Sequence, residues 1–302
     1  MKLGLVSAIL PEMSFEELCE FAGEYGIECL EVACWPVGKA ERRYAGVSHI
    51  DVDQLEDVRI SKIKQCCMKN GVEISSLAFY PNPLDPEKGP AAVEHLYKLI
   101  DASARLGVNM VTTFIGRDSK KTIEENLELV KEIWPPIIRY AEEKGVKVAI
   151  ENCPMLFTKD EWPGGQNLMT TPANWRKVFE ILDSPNFGIN YDPSHFVWQM
   201  IDYIKPIYEF KDKIFHVHYK DIKLYPDKLQ EVGTMGYPLQ YMSPKLPGLG
   251  DVDWGKYVSA LTDIGYDGYT CIEIEDKAFE GSIEATKKSI IQSVGYLRNF
   301  VS

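Results

Sequence analysis

The stretch EKGVKVAIEN at residues 143–152 joins a charged, helix-like segment to a glycine and then to a short aliphatic run. Gly145 suits the left-handed residue that closes a helix, and VKVAIE is apolar enough to read as a strand covered on both faces. The same phrase recurs in EYGIECLEV at 24–32, KNGVEIS at 69–75, RLGVNMV at 105–111 and DIGYDGYTCIEIE at 263–275. Working outward from these, strand-like runs fall at 2–8, 29–35, 72–80, 109–116, 146–152, 187–193, 213–221 and 269–276. The segments between them carry apolar residues at three- and four-residue spacing. Ser14 and Thr122 open two of these segments, the first as a capping box with Glu17. Eight βα units predict an α/β fold, a (β/α)8 TIM barrel filling residues 1–302 as one domain. A doubly wound open sheet is the alternative, but its GxGxxG turn is missing.

A minimal barrel needs about 250 residues, so about fifty are surplus. They fall after strands, at 35–51, 80–90, 153–172 and 221–251, and read as long non-helical βα loops at the C-terminal mouth, where barrel active sites sit. The 302 residues hold Lys+Arg 33 and Asp+Glu 45, a formal net charge of −12, with 45% hydrophobic residues. That excess of negative charge repels phosphate backbones and anionic membranes, which leaves small or neutral partners. Seven cysteines without a CxxC pair read as reduced. The apolar N-terminal run is too short for a signal peptide and no stretch stays apolar long enough to cross a bilayer, so a cytoplasmic location is expected.

Ionisable residues interrupt four consecutive strands near their C-terminal ends. Glu151 closes VAIE, Asp192 closes INYD, His218 lies in FHVH and Glu273 in CIEIE. Ordinary strand-end residues paired with loop Lys or Arg would explain any one of them. Four at matching depths on neighbouring strands call for a divalent cation, because unpaired like charges out of water cost several kcal/mol each. Oxygen-rich ligation with one His favours Mn²⁺, Mg²⁺ or Co²⁺. Strand parity groups His216, His218 and Lys220 on one face, and Cys271, Glu273 and Glu275 on another, so Glu275 competes with Glu273 as the ligand. His216 reads as a deeper supporting group or as a packed core histidine.

AIEN at 149–152, DPSH at 192–195, HVHYKD at 216–221, PGLGDVDW at 247–254 and GYDGYTCIEIED at 265–276 together resemble the xylose isomerase-like sugar isomerase/epimerase superfamily. The resemblance spans nearly the whole chain. It implies a metal-dependent barrel of the kind found in ketose 3-epimerases, inosose dehydratases, endonuclease IV and C-glycoside deglycosidase subunits. It implies metal ligands at Glu151, Asp192, His218 and Glu273, with Mn²⁺ first and Zn²⁺ among the alternatives, and a substrate-contacting His195. It also implies a homo-oligomer, or a hetero-oligomer with a small subunit if the chain is a deglycosidase. Two departures stand out: Phe157 and Thr158 where epimerases usually carry another Glu, and Lys220 and Lys223 where they often carry Arg. Five histidines are too few for the nuclease's trinuclear site.

Such a site would abstract a proton beside a carbonyl, with Glu151 and Glu273 as bases and an enediolate between them. Return to the opposite face epimerises the carbon, and return to the neighbouring carbon isomerises the sugar. Loss of a leaving group is the alternative, a lyase of the inosose-dehydratase or deglycosidase kind. Trp35, Tyr80, Phe157, Trp162, Phe196 and Trp198 follow strand ends and suit the apolar faces of a sugar. Lys220 would either polarise a substrate oxygen or pair with Asp221. Gly248 to Gly250 lacks the features of a phosphate cradle.

Overall fold

The structure is a computed structural model that describes residues 1–37, 45–156 and 165–301. Eight parallel strands close into a barrel in the order β1 (Lys2–Val6), β2 (Cys29–Ala33), β3 (Glu73–Ala78), β4 (Met110–Thr113), β5 (Lys147–Glu151), β6 (Phe187–Tyr191), β7 (Ile214–Tyr219) and β10 (Tyr269–Ile272), which pairs with β1. All eight fall inside the runs expected from sequence, trimmed where the chain leaves the ladder. The helices are α1 (Phe15–Glu24), α2 (Asp57–Asn70), α3 (Gly89–Leu106), α4 (Ile123–Glu143) and α5 (Pro172–Ile181), then α6 (Ser194–Trp198), α7 (Lys205–Glu209), α8 (Pro226–Val232), α9 (Trp254–Asp263) and α10 (Ile283–Leu297). Capping boxes at Ser14/Glu17 and Thr122/Glu125 start α1 and α4. Left-handed Gly71 and Gly107 end α2 and α3, which lets each chain turn directly into the next strand. No helix among the described residues is long and apolar enough to cross a membrane.

The ladder explains why four residues at different strand positions share one depth. Glu151 is the register partner of Asn190, Asn190 of His216 and His216 of Tyr269. An eight-stranded barrel of shear eight climbs about one residue per strand relative to that register. The level of Glu151 is therefore met close to residue 191 on β6, at 218 on β7 and at 272 on β10. His218 stands at that level, and Asp192 and Glu273 one residue beyond it toward the mouth.

The 221–251 segment departs from the expected non-helical loop. It forms an antiparallel ribbon of β8 (Asp221–Leu224) and β9 (Met242–Lys245), with α8 between them. Its base is gathered around Asp221, which is buried. That carboxylate accepts hydrogen bonds from the backbone N–H of Ile222, Gly248, Gly250 and Val252 at 2.8, 2.9, 3.2 and 3.1 Å, and from the Trp254 indole at 3.0 Å. A Cβ on Gly250 would collide with the Asp221 carboxylate and the Ile222 carbonyl, so the glycine gives the loop its close approach. Of the two readings left open for Lys220, this removes the pairing with Asp221: successive residues of an extended chain face opposite sides, and Lys220 lines the cavity at the barrel mouth.

Candidate metal centre and substrate cavity

One donor atom each from Glu151, Asp192, His218 and Glu273 lies within 4.8 Å of the other three. Glu151, Asp192 and His218 are buried, and the Glu273 side chain is 13% exposed. His218 Nδ1 stands 3.6 Å from Glu151 Oε1 and 3.3 Å from Glu273 Oε2. His195 Nε2 stands 3.2 Å from Asp192 Oδ2 and 3.6 Å from Glu151 Oε1. Asp192 Oδ2, His218 Nδ1 and Glu273 Oε2 are buried without a hydrogen-bond partner among the described residues. Orphaned acceptors out of water are costly, and three aimed at one point fit a hard cation with oxygen and imidazole ligands. Glu275 turns away from that point and binds Lys220 Nζ at 2.9 Å, which favours Glu273 over Glu275 as the ligand.

His218 is held by a residue that sequence reading passed over. Glu31, fully buried on β2, lies 3.0 Å from His218 Nε2. A carboxylate only accepts, so a hydrogen on Nε2 would go to Glu31, and the neutral tautomer that a cation selects would turn its Nδ1 lone pair to the cluster; the Asn190 amide nitrogen stands 3.0 Å from the same Nε2. Tyr80 donates to the other Glu31 oxygen at 2.7 Å and accepts from Asn190 at 3.0 Å. His216 sits one layer deeper, against Asn190 Oδ1 at 3.0 Å and Ser75 Oγ at 3.1 Å, and is a hydrogen-bonded support below the cluster. His49 and His95 contact backbone carbonyls elsewhere, of Leu10 and Cys34. Glu31→Gln should therefore weaken Mn²⁺ binding about 10–100-fold, by freeing the tautomer and tilt of His218. An unchanged dissociation constant in a calorimetric titration would remove Glu31 from this role.

The electrostatics are those of an anionic pocket lined with cation-seeking groups. Burial pushes the Glu151 carboxyl up, but His195 and His218 outweigh it and hold the pKa below its ordinary value. For Glu273, burial is likewise outweighed, by the Lys220 ammonium and His218, and the pKa lies well below the usual carboxylate range. Glu31 is held down against its burial by His218, His216 and Tyr80. Burial disfavours charge on His218, yet Glu31, Glu151 and Glu273 raise its pKa well above the ordinary value. Lys220 rises in the same way between Glu273 and Glu275. Protons and a dication compete for the same atoms here. At a hundredfold excess over its dissociation constant, a bound ion stabilises the fold by about 2.7 kcal/mol. Mn²⁺ should accordingly raise the melting midpoint by about 5 °C, and Asp192→Ala should abolish the rise.

A cavity of about 370 Å³ opens above the cluster. His195, Lys220, Trp35, Tyr80 and Trp198 line it. The Trp198 indole donates to His195 Nδ1 at 3.4 Å, so Nε2 carries the His195 hydrogen. Phe196 departs from the expected aromatic rim: it is buried against Trp175 and Tyr191 and serves packing. Phe157, Thr158 and Trp162 lie outside the described residues. Lys223 is exposed on β8 and is not among the residues that line the cavity, whereas Ile222 is.

The family model described as xylose isomerase-like TIM barrel matches residues 19–300. The uncharacterized protein YfiH of Bacillus subtilis (strain 168) is 26% identical over 97% of this chain and 100% of its own length. The ketose 3-epimerase of Arthrobacter globiformis is 26% identical over 71% of this chain and 64% of that protein. A crystal structure of the IOLI protein with a bound zinc atom superimposes with a TM-score of 0.70 over 100% of both chains, and at 19% identity that likeness is one of fold.

Proposed function

This chain belongs to the xylose isomerase-like TIM barrel family, and we propose that it is a divalent-metal-dependent isomerase or epimerase of a ketose or keto-sugar. The observation that carries the proposal is the convergence of Asp192 Oδ2, His218 Nδ1 and Glu273 Oε2, all orphaned, with Glu151 at one buried point. A dication bound there, Mn²⁺ by preference, supplies Lewis acidity that polarises a carbonyl and its neighbouring hydroxyl.

The chain's own residues supply the rest. Glu151 and Glu273 reach one cavity from β5 and from the end of β10, so one carboxylate takes the proton of the carbon beside the carbonyl while the other returns one. Return to the opposite face inverts that carbon, and return to the next carbon moves the carbonyl. His195 presents its Nε2 hydrogen to the cavity as a donor to a substrate oxygen. Lys220, clamped at 3.2 Å from Glu273 and 2.9 Å from Glu275, places a fixed positive charge beside the same oxygens. The Trp35 ring covers an apolar sugar face.

Incubation of the Mn²⁺-loaded protein with ketoses and keto-sugars in D₂O tests this reading. Deuterium at the carbon next to the carbonyl, with the sugar otherwise intact, is the expected result. Exchange accompanied by stoichiometric release of water or an aglycone assigns a lyase instead. A protein that holds Mn²⁺ but exchanges no sugar of the panel overturns the proposal.

A further inference from the structure

Three of the seven cysteines, all free thiols, meet outside the barrel where α1 packs on α2. None of the three lines the cavity. Cys19 is fully buried on α1, and Cys66 and Cys67 are partly exposed at consecutive positions of α2. Ion pairs of Glu16 with Arg59 at 2.5 Å and Glu20 with Lys69 at 3.6 Å hold the two helices side by side. The backbones touch one turn further on, where a Cβ on Gly23 would meet the Asn70 carbonyl oxygen at 2.6 Å. Cys19 precedes Gly23 and Cys66 precedes Asn70 by four residues, so both lie on the faces that make this crossing. Cys19 Sγ stands within hydrogen-bonding reach of the Cys67 and Cys66 thiols. The Asn70 amide reaches Cys66 Sγ at 3.7 Å.

This contact makes the thiols unequal. The hydrogen bond from Cys19 holds the Cys67 pKa below its ordinary value against the pull of burial. The same contact, together with burial, raises Cys19, and burial raises Cys66. Since the thiolate is the nucleophile, the reactive sulfur is the partly exposed Cys67, with a protonated thiol directly behind it in the interior. A disulfide needs Cα atoms within about 7 Å, a separation that a small residue at the crossing, here Gly23, helps two helices to reach. We propose that Cys19 and Cys67 are a hydroperoxide-reactive pair, a modification site separate from the carboxylate cluster. The Cys67 thiolate attacks one oxygen of the hydroperoxide and the O–O bond breaks. Cys67 becomes a sulfenic acid, and the other oxygen takes up a proton and leaves as an alcohol, or as water from hydrogen peroxide. The Cys19 sulfur then attacks the Cys67 sulfur and the S–O bond breaks. The hydroxyl leaves with the Cys19 proton as water, and a disulfide joins α1 to α2.

The test adds hydrogen peroxide in steps to the folded protein, blocks the remaining thiols with N-ethylmaleimide, and maps the peptides by mass spectrometry without reduction. At the lowest dose that consumes any thiol, the expected product is a Cys19–Cys67 cross-linked peptide within a monomeric chain, lighter by two hydrogens. Cys19→Ser should lose the cross-link and leave Cys67 as a sulfenic acid that dimedone labels. Cys67→Ser should lose both the cross-link and the dimedone label at this crossing. The peptide map of the unsubstituted protein decides the question even if both variants fail to fold. A Cys19–Cys66 disulfide overturns the choice of Cys67. A Cys67 that passes to sulfinic acid with Cys19 still reduced overturns the pair, as does a cross-link found only between two chains. Thiols at this crossing that stay intact at a dose that oxidises free cysteine overturn the site altogether.

Discussion

Glu151→Gln should lower deuterium exchange into the epimer that Glu151 deprotonates by at least about a thousandfold, which corresponds to about 4 kcal/mol of barrier. The substitution keeps the volume and one acceptor oxygen at the end of β5, so the cluster's packing survives while the group that takes a proton is gone. Glu273→Gln should have an effect of the same size with a different signature. If the two carboxylates serve opposite faces, each variant stalls with one epimer as substrate and retains a first proton removal from the other. Running the exchange from both epimers separates the roles. Elemental analysis of each variant shows whether the ion is still held, which distinguishes loss of a base from loss of the ion. In Glu273→Gln, Lys220 also loses its 3.2 Å ion pair and keeps the one to Glu275 at 2.9 Å, so its amine stays anchored. A variant that keeps Mn²⁺ and exchanges at the parent rate from both epimers would sink the acid–base assignment.

The barrel was legible because its strands are apolar on both faces and because glycines mark where helices hand over to them. The four cluster residues stood out for the same reason, as charges where a covered strand should have none. Glu31 carries the same signal inside CLEVA, but it sits in mid-strand, and its partner His218 lies across the barrel interior on β7. No sequence spacing encodes a contact across a closed sheet. Lys220 illustrates the opposite case, in which nearness in sequence misleads. Asp221 is its neighbour in the chain but lies on the other face, and the true partners Glu273 and Glu275 come from just beyond the end of β10, more than fifty residues away. The ribbon of β8 and β9 was hidden because its four-residue strands, DIKL and MSPK, include two lysines and a proline and lack the alternation that marks a half-buried strand. What creates it is the knot of hydrogen bonds at Asp221, a tertiary feature.

That knot makes Asp221→Ala the most damaging single change expected outside the cluster. Four backbone N–H groups and one indole N–H converge on a carboxylate with no solvent exposure. Each donor left dry and unpaired costs about 1–3 kcal/mol. Relaxation of the 247–252 turn recovers part of the sum, so the expected loss is about 4 kcal/mol or more, read as a shift of the urea midpoint. Asp221→Asn should lose about half as much, because its amide oxygen keeps some of the bonds while its NH₂ group meets other donors. Gly250→Ala tests the same knot from the other side, through the collision of its methyl with the carboxylate. The consequence reaches the site, since Asp221 anchors the first residue of the ribbon whose Ile222, Met242 and Pro244 wall the cavity. Loosening that base should weaken sugar binding while leaving Mn²⁺ affinity intact, because Glu151, Asp192, His218 and Glu273 all stand on the barrel itself or directly at its strand ends. A loss of stability below about 1 kcal/mol in Asp221→Ala, or a matching loss of Mn²⁺ affinity, would show that the ribbon and the cluster are not the separable units this geometry makes them.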